Sequence, residues 1–403
     1  MRRQVFLFII TASVFFLGCQ THIPSVPGES EALLRQYAYP IDLENKDLIL
    51  PEQMTSENRI FLFGEAHGVA ESPQVDLYLL ALLHEQAGVR YYLSEQGFSA
   101  SMLVNEYLDT GDESFLDHLF SQLEGTYSWT RELRRFYIDL RAWNLGLPES
   151  ERVRFVGVDV EHQHRTAWRY IAGLLPETPA PAEIGLIVHG IKEYVTGPMD
   201  DGGAQYDLAR NTAESIETYS SVWRNWLLED FFFIDLTVKN LVVRNILYEN
   251  HDSMDFVDWG NMRDQRIFEN FLAVDSRFGQ PAFYGRWGAV HVRKYRYLNI
   301  DYWAARAHNA GYSIYSIESI YNDSVSMRKR PYREEELDFP ENSTTPLENS
   351  TTEKITFFHL PTEFQDFYTA PYFIDDPEAI GGTLDYFDGI LFIQGARPMH
   401  PLE

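Results

Sequence analysis

The sequence predicts an α/β fold: a mostly parallel sheet flanked by helices, with a large helical insertion and a C-terminal strand segment. Three observations carry this. Short apolar runs rich in Phe, Tyr, Val and Ile alternate with longer stretches of helical periodicity, the pattern of a parallel sheet covered by helices. Residues 162–256 lack a convincing strand outside 230–235, where three phenylalanines sit inside a longer helical pattern. After residue 354 the chain turns strand-like again. Hydrophobic residues at 45% and aromatics at 15% suffice for a large core, so the chain is globular rather than disordered.

The elements follow in order. Met1-Arg2-Arg3, an uncharged apolar run from Val5 to Leu17, and Gly18-Cys19 read as a signal peptide over residues 1–18. The run is about 13 residues, too short for a spanning helix of roughly 20. Cys19, the single cysteine of the chain, follows Gly18 as in a bacterial lipobox, which predicts acylation of its thiol. Gln20 supplies no aspartate-type retention signal, so the expected location is the cell envelope, anchored by lipid at the outer membrane. Residues 19–57 read as a lipidated tether and 58–403 as the folded domain. Strands are expected at Arg59–Phe63, Arg90–Ser94, Arg152–Val158, Pro281–Gly285 and Tyr312–Ile317, then at 355–359 and 388–394. Helices are expected at Gln74–Glu85 and 128–147, and residues 326–354, charged and then Ser/Thr/Asn-rich, read as a mobile surface loop.

Removing residues 1–18, which hold Arg2 and Arg3 and no acid, takes the formal charge from −27 to −29. A field of that sign repels nucleic acid and anionic membrane surfaces. With no second cysteine there is neither a disulfide framework nor a thiolate metal site. The sequence has no G-x-S-x-G, no H-E-x-x-H, no phosphate loop and no dinucleotide fingerprint.

In a parallel sheet, ligands bind beyond the carboxyl ends of the strands. The first strand is followed by Gly64-Glu65-Ala66-His67 and Glu71, the second by Glu95, the third by Asp159, Glu161, His162 and His164, and the fourth by His291. A single strand-end acid is often a helix cap; four strand ends carrying carboxylates or histidines point to one rim. Such a cluster serves either general acid–base catalysis by a carboxylate-oriented histidine or metal binding by His and carboxylate.

These stretches resemble the erythromycin esterase family. Gly64-Glu65-Ala66-His67-Gly68-Val69-Ala70-Glu71 is similar to its first motif, Ser128-Trp129-Thr130 to its Trp-Thr helix and Val153–Asp159 to its Gly-x-Asp strand. Met262-Arg263-Asp264-Gln265 is similar to its Arg-Asp helix, Gly288–Val292 to its His-Val motif, and Tyr386-Phe387-Asp388-Gly389 with Pro398–Leu402 to its ending. The likeness runs in order from about residue 58 to the C-terminus. It implies an ester or lactone hydrolase of a small molecule, with water activated by His67, Glu65 orienting the imidazole and His291 facing it, and no metal or other cofactor. Glu71, Glu95, Asp159 and Arg263 are expected to complete the substrate-binding rim. The broader superfamily includes TIKI/TraB metalloproteases and ChaN-like haem-binding lipoproteins. Three other readings stay open: a metal-dependent hydrolase or peptidase, a lipoprotein that binds haem or another small ligand without turnover, or a degenerate scaffold with a dead site. A single residue, Ala66, separates Glu65 from His67, the ChaN-like spacing, and Gly285-Arg286-Trp287-Gly288 stands where the esterases carry a second histidine before His291.

Overall fold

The computed structural model describes residues 28–402 apart from 46, 199–201, 330, 331, 338, 340, 375 and 377. The expected signal peptide and Cys19 lie outside the described residues. Among the described residues ten strands form: β1 (Ala38–Pro40), β2 (Ile60–Glu65), β3 (Tyr91–Gly97), β4 (Arg154–Asp159), β5 (Phe283–Gly288), β6 (Ile314–Asn322), β7 (Val325–Arg328), β8 (Arg333–Glu336), β9 (Ile355–His359) and β10 (Gly389–Gln394). Eight make one sheet in the order β1-β9-β10-β6-β2-β5-β3-β4, parallel throughout except that β9 runs antiparallel to β1 and β10.

Alternation along the strands supplies both faces of the sheet. Phe61, Phe63, Tyr92 and Tyr284 pack one way, against the Ser72–Gln86 and Arg131–Leu145 helices. Ile60, Leu62, Leu93 and Phe283 pack the other way, against Ile267, Phe271 and Val274 of the Phe256–Arg277 helix. The central strands reach one to five residues beyond their expected carboxyl ends. Glu65 is still in register, opposite Gly288. Polar ends that look like loop in sequence stay in the ladder because their backbone groups need those partners.

The insertion is helical, as expected, with helices His164–Leu174, Gly185–Thr196, Gly203–Thr218, Ser220–Leu227 and Phe231–Glu249 around buried Trp168, Trp223, Ile234 and Leu241. The phenylalanine run opens the last of these helices. Phe231, Ile234, Val238 and Leu241 bury one face at helical spacing.

Two expectations are corrected. Residues 28–57 are not a free tether: they form a helix (Gly28–Gln36), the edge strand β1 and a short helix (Glu52–Glu57), because Leu34, Leu50 and Met54 are buried against the domain. Residues 326–354 are not a featureless loop. They contain most of the β7–β8 hairpin and a helix (Glu341–Glu348). The hairpin is tied down where Val325 donates to Ala396 and Met327 to Gly68, with Met327 buried against Ala70 and Met399. Local composition is polar there, but Ser326 and Met327 at the centre of β7 are buried. Among the described residues no helix is long and apolar enough to cross a membrane.

Candidate active site

At the carboxyl edge of β2, β5, β3 and β4 lies a cleft with two lobes, about 120 Å³ and about 150 Å³, both lined by Glu65, His67, Glu95, Tyr127 and Arg263. Each wall comes from a strand end. Glu65 closes β2, and two residues on, His67 turns back so that its Nδ1 lies 2.7 Å from Glu65 Oε1. Its Nε2 has no hydrogen-bond partner among the described residues. Gly288 lies beneath it, and a Cβ there would come within 3.2 Å of His67 Nε2. The Tyr127 ring lies 5.4 Å from the imidazole.

Glu95 owes its direction to a bulge. Ser94 pairs with Gly157 and Gly97 with Asp159, so β3 carries one residue more than β4 between those pairs. The bulge turns Glu95 into the cleft, and Gly157 permits it, since a Cβ there would meet the Gly97 carbonyl oxygen at 2.4 Å. Glu95 Oε2 accepts from the Gly288 amide at 2.8 Å and Oε1 from Arg263 Nη2 at 2.9 Å.

Arg263, inward on the Phe256–Arg277 helix, joins three strand ends. Its Nε donates to Asp159 Oδ1 at 3.1 Å, Nη2 to Asp159 Oδ2 as well as Glu95, and Nη1 to His291 Nε2 at 3.2 Å. His291 Nδ1 donates to buried Asp264 at 2.8 Å, and His291 Nε2 is also 3.6 Å from Glu95 Oε1. Asp159 Oδ2 also meets His162 Nε2 at 3.2 Å. The sequence-predicted residues Glu65, His67, Glu95, Asp159, Arg263 and His291 therefore converge on one cleft.

Glu71 does not join them. It is buried away from both lobes, where it accepts from Lys354 Nζ at 2.8 Å and from the Arg397 amide and Nε at 2.9 and 3.1 Å. It clasps the C-terminal segment to the turn after β2 rather than facing substrate.

Electrostatics follow from these contacts. Burial lowers the proton affinity of His67, but the hydrogen bond to Glu65 and the charges of Glu65 and Glu95 outweigh it, so its pKa is raised; Arg286 pulls the other way. Burial favours the neutral form of Glu95, yet His291, Arg263 and His67 hold its pKa down at about 2. Asp159, desolvated but paired with Arg263 and His162, is likewise held well below the usual carboxylate range.

Sequence reading missed Asp76 and the role of Arg286. Arg286 lines the smaller lobe, with Nη1 3.5 Å from Glu65 Oε2 and Nε 3.1 Å from Asp76 Oδ2. A signal for Asp76 was present: between Glu71 and His84 it is the one charged residue in an otherwise apolar helix, and a charge there must be buried and paired. Lys329, next to the β7–β8 hairpin, also lines the smaller lobe. Among the described residues no three His, Cys, Asp or Glu side chains are arranged to hold a metal ion. The lone pairs of Glu95 and Asp159 already face Arg263.

Comparison with known structures agrees with this architecture. An erythromycin esterase, EreC, a histidine-to-asparagine mutant in its open conformation, matches with a TM-score of 0.63 and 14% identity over 90% of this chain and 96% of that one. The chain has the erythromycin esterase fold. A Bacillus cereus protein matches with a TM-score of 0.72 and 16% identity over 94% of this chain and 100% of its own. A succinoglycan biosynthesis protein matches at 0.67 and 14% identity over 93% and 98%. No protein-family model matches the sequence, and no curated protein does. At such identities the likeness concerns the fold alone.

Proposed function

We infer that this chain is an exported, lipid-anchored hydrolase of an ester or lactone of a small molecule, in which His67 activates water without a metal or other cofactor. The observation that carries the reading is the Glu65–His67 pair: Nδ1 is engaged by a carboxylate while Nε2 opens onto the cleft. A base so oriented takes a proton from water as the water adds to an ester carbonyl, and returns it to the departing alkoxide, leaving an acid and an alcohol. Glu65 stabilises the imidazolium formed in between. Arg263 and Arg286 put positive charge where the carbonyl oxygen becomes negative. Two lobes meeting at His67 suit a substrate with a part on either side of the scissile bond. The anchor at Cys19 would hold the enzyme at the outer membrane.

The test is a panel of esters and lactones assayed with the native protein, with His67→Ala, and after exhaustive chelation. Activity that survives chelation and is lost in His67→Ala supports the reading. Activity retained in His67→Ala removes it, and loss on chelation with recovery on adding a divalent cation transfers the site to metal-dependent hydrolysis.

A further inference from the structure

Asp76 is fully buried on the Ser72–Gln86 helix and lines neither lobe of the cleft, so it does not touch a substrate. A charge in such a place is costly unless it is paired. Its Oδ2 accepts the Tyr92 hydroxyl at 2.7 Å and lies 3.1 Å from Arg286 Nε, while Oδ1 has no hydrogen-bond partner. The Tyr92 hydroxyl also accepts the Arg286 amide at 3.3 Å, and the Tyr284 hydroxyl donates to the main-chain carbonyl of Asp76 at 3.3 Å. Arg286 thus lies between two carboxylates, Asp76 behind it and Glu65 in front at 3.5 Å. Glu65 in turn holds His67. Four side chains from two strands, one helix and the turn after β2 form a single alternating line of charge ending in the cleft.

We propose that Asp76 is a positioning residue that sets the proton affinity of His67 through Arg286 and Glu65. With Asp76 ionised, the guanidinium is neutralised from behind, and Glu65 remains available to the imidazole. Without that charge, Arg286 draws on Glu65 alone, and its uncompensated positive charge bears on His67, disfavouring the imidazolium. The other groups facing His67 do not depend on Asp76: Glu95 is held by Arg263 and the Gly288 amide, and Tyr127 presents its ring. Burial raises the Asp76 carboxyl to about 6, against the pull of Arg286 and the tyrosine hydroxyls, so its charge is conditional near the pH at which histidines titrate. The proposal goes beyond the hydrolase reading, since it concerns the basicity of His67 whatever the substrate.

The test uses the full chain with carbon-13 at histidine Cε1. The His67 resonance is assigned by its disappearance in His67→Gln and followed through a pH titration. Asp76→Asn is expected to lower the His67 pKa by at least about half a unit, and Arg286→Gln to raise it by a similar amount. A purely structural role would move both variants the same way or neither. An unchanged or raised pKa in Asp76→Asn, or shifts of one sign in both, overturns the proposal. If Asp76→Asn does not fold, Tyr92→Phe weakens the ionised form of Asp76 and should lower the His67 pKa by a smaller amount; no shift there counts against the proposal. The readout is a proton affinity, so it stands apart from whether any ester is hydrolysed.

Discussion

Arg263 Nη1 lies 3.2 Å from Nε2 of His291, and Nδ1 of the same ring lies 2.8 Å from buried Asp264. Both nitrogens of His291 are thereby engaged, whereas Nε2 of His67 is open to the cleft. The two histidines share a site but divide its labour: one fixes a guanidinium, the other is free to exchange a proton.

The same guanidinium makes two hydrogen bonds to fully buried Asp159, which otherwise meets only the His162 ring among side-chain cations of the described residues. Arg263→Ala should therefore destabilise the fold by about 3–5 kcal/mol, since it strips a buried carboxylate of its guanidinium and leaves it the His162 contact alone. Arg263→Lys should recover little, because an ammonium cannot reproduce the fork that reaches Asp159, Glu95 and His291 together. Urea denaturation of the three proteins measures both; an Arg263→Ala protein as stable as the native one would contradict the assignment.

The raised pKa of His67 fixes the sign of a pH profile. The base form appears only above that pKa, so kcat/KM for ester hydrolysis should rise with pH through a midpoint above the ordinary histidine value of about 6.5. Glu65→Gln removes the hydrogen-bonding charge and should move the midpoint down, with a smaller rate loss than the about 10²–10⁴ expected for His67→Ala. A midpoint that stays put in Glu65→Gln would separate Glu65 from the base.

Glu161 offers a stability test outside the chemistry. Burial raises its pKa to about 7, with Ser99 hydrogen bonds opposing, so the folded state holds the proton more tightly than the unfolded chain. Its contribution is complete below the unfolded value of about 4.5 and is lost as pH rises through about 7. Glu161→Gln, which stays neutral and keeps an acceptor for the Ser99 amide, should match the native stability at pH 4 and exceed it by about 3 kcal/mol at pH 8. Thermal melts across that range would show the two curves parting; curves that stay together would argue against a raised carboxyl.

The proposed lipid anchor predicts that Cys19→Ser moves the protein from the membrane fraction to the soluble one. Cell fractionation decides it, and a variant that still sediments with membranes would remove the lipid anchor from the proposed function.

Much of the fold was legible in the sequence, for a physical reason. Strand and helix follow from periodicity, which is local, and the central strands and the Ser72–Gln86 and Arg131–Leu145 helices lie close to where apolar spacing put them. The rule that parallel strands present their carboxyl ends to ligands was enough to gather Glu65, His67, Glu95, Asp159 and His291 before any coordinates. Composition misled where burial depends on partners distant in sequence. The polar stretch after Val325 folds as a hairpin because Gly68 and Ala396 satisfy its backbone, and Leu34 and Met54 draw supposed tether residues into the domain.

Residue types and their order along the chain thus determined the α/β class, the order of the central strands along the chain and the identity of the imidazoles at the rim. Only the tertiary structure decided which groups pair. Glu71, three residues past the first-motif glycine Gly68, turned away to clasp Lys354 and Arg397, while Asp76, deep in an apolar helix, was brought behind Arg286. Pairing of buried charges is settled by distances of a few ångströms between elements far apart in sequence, because Coulomb energies in a poorly solvated interior change steeply over that range.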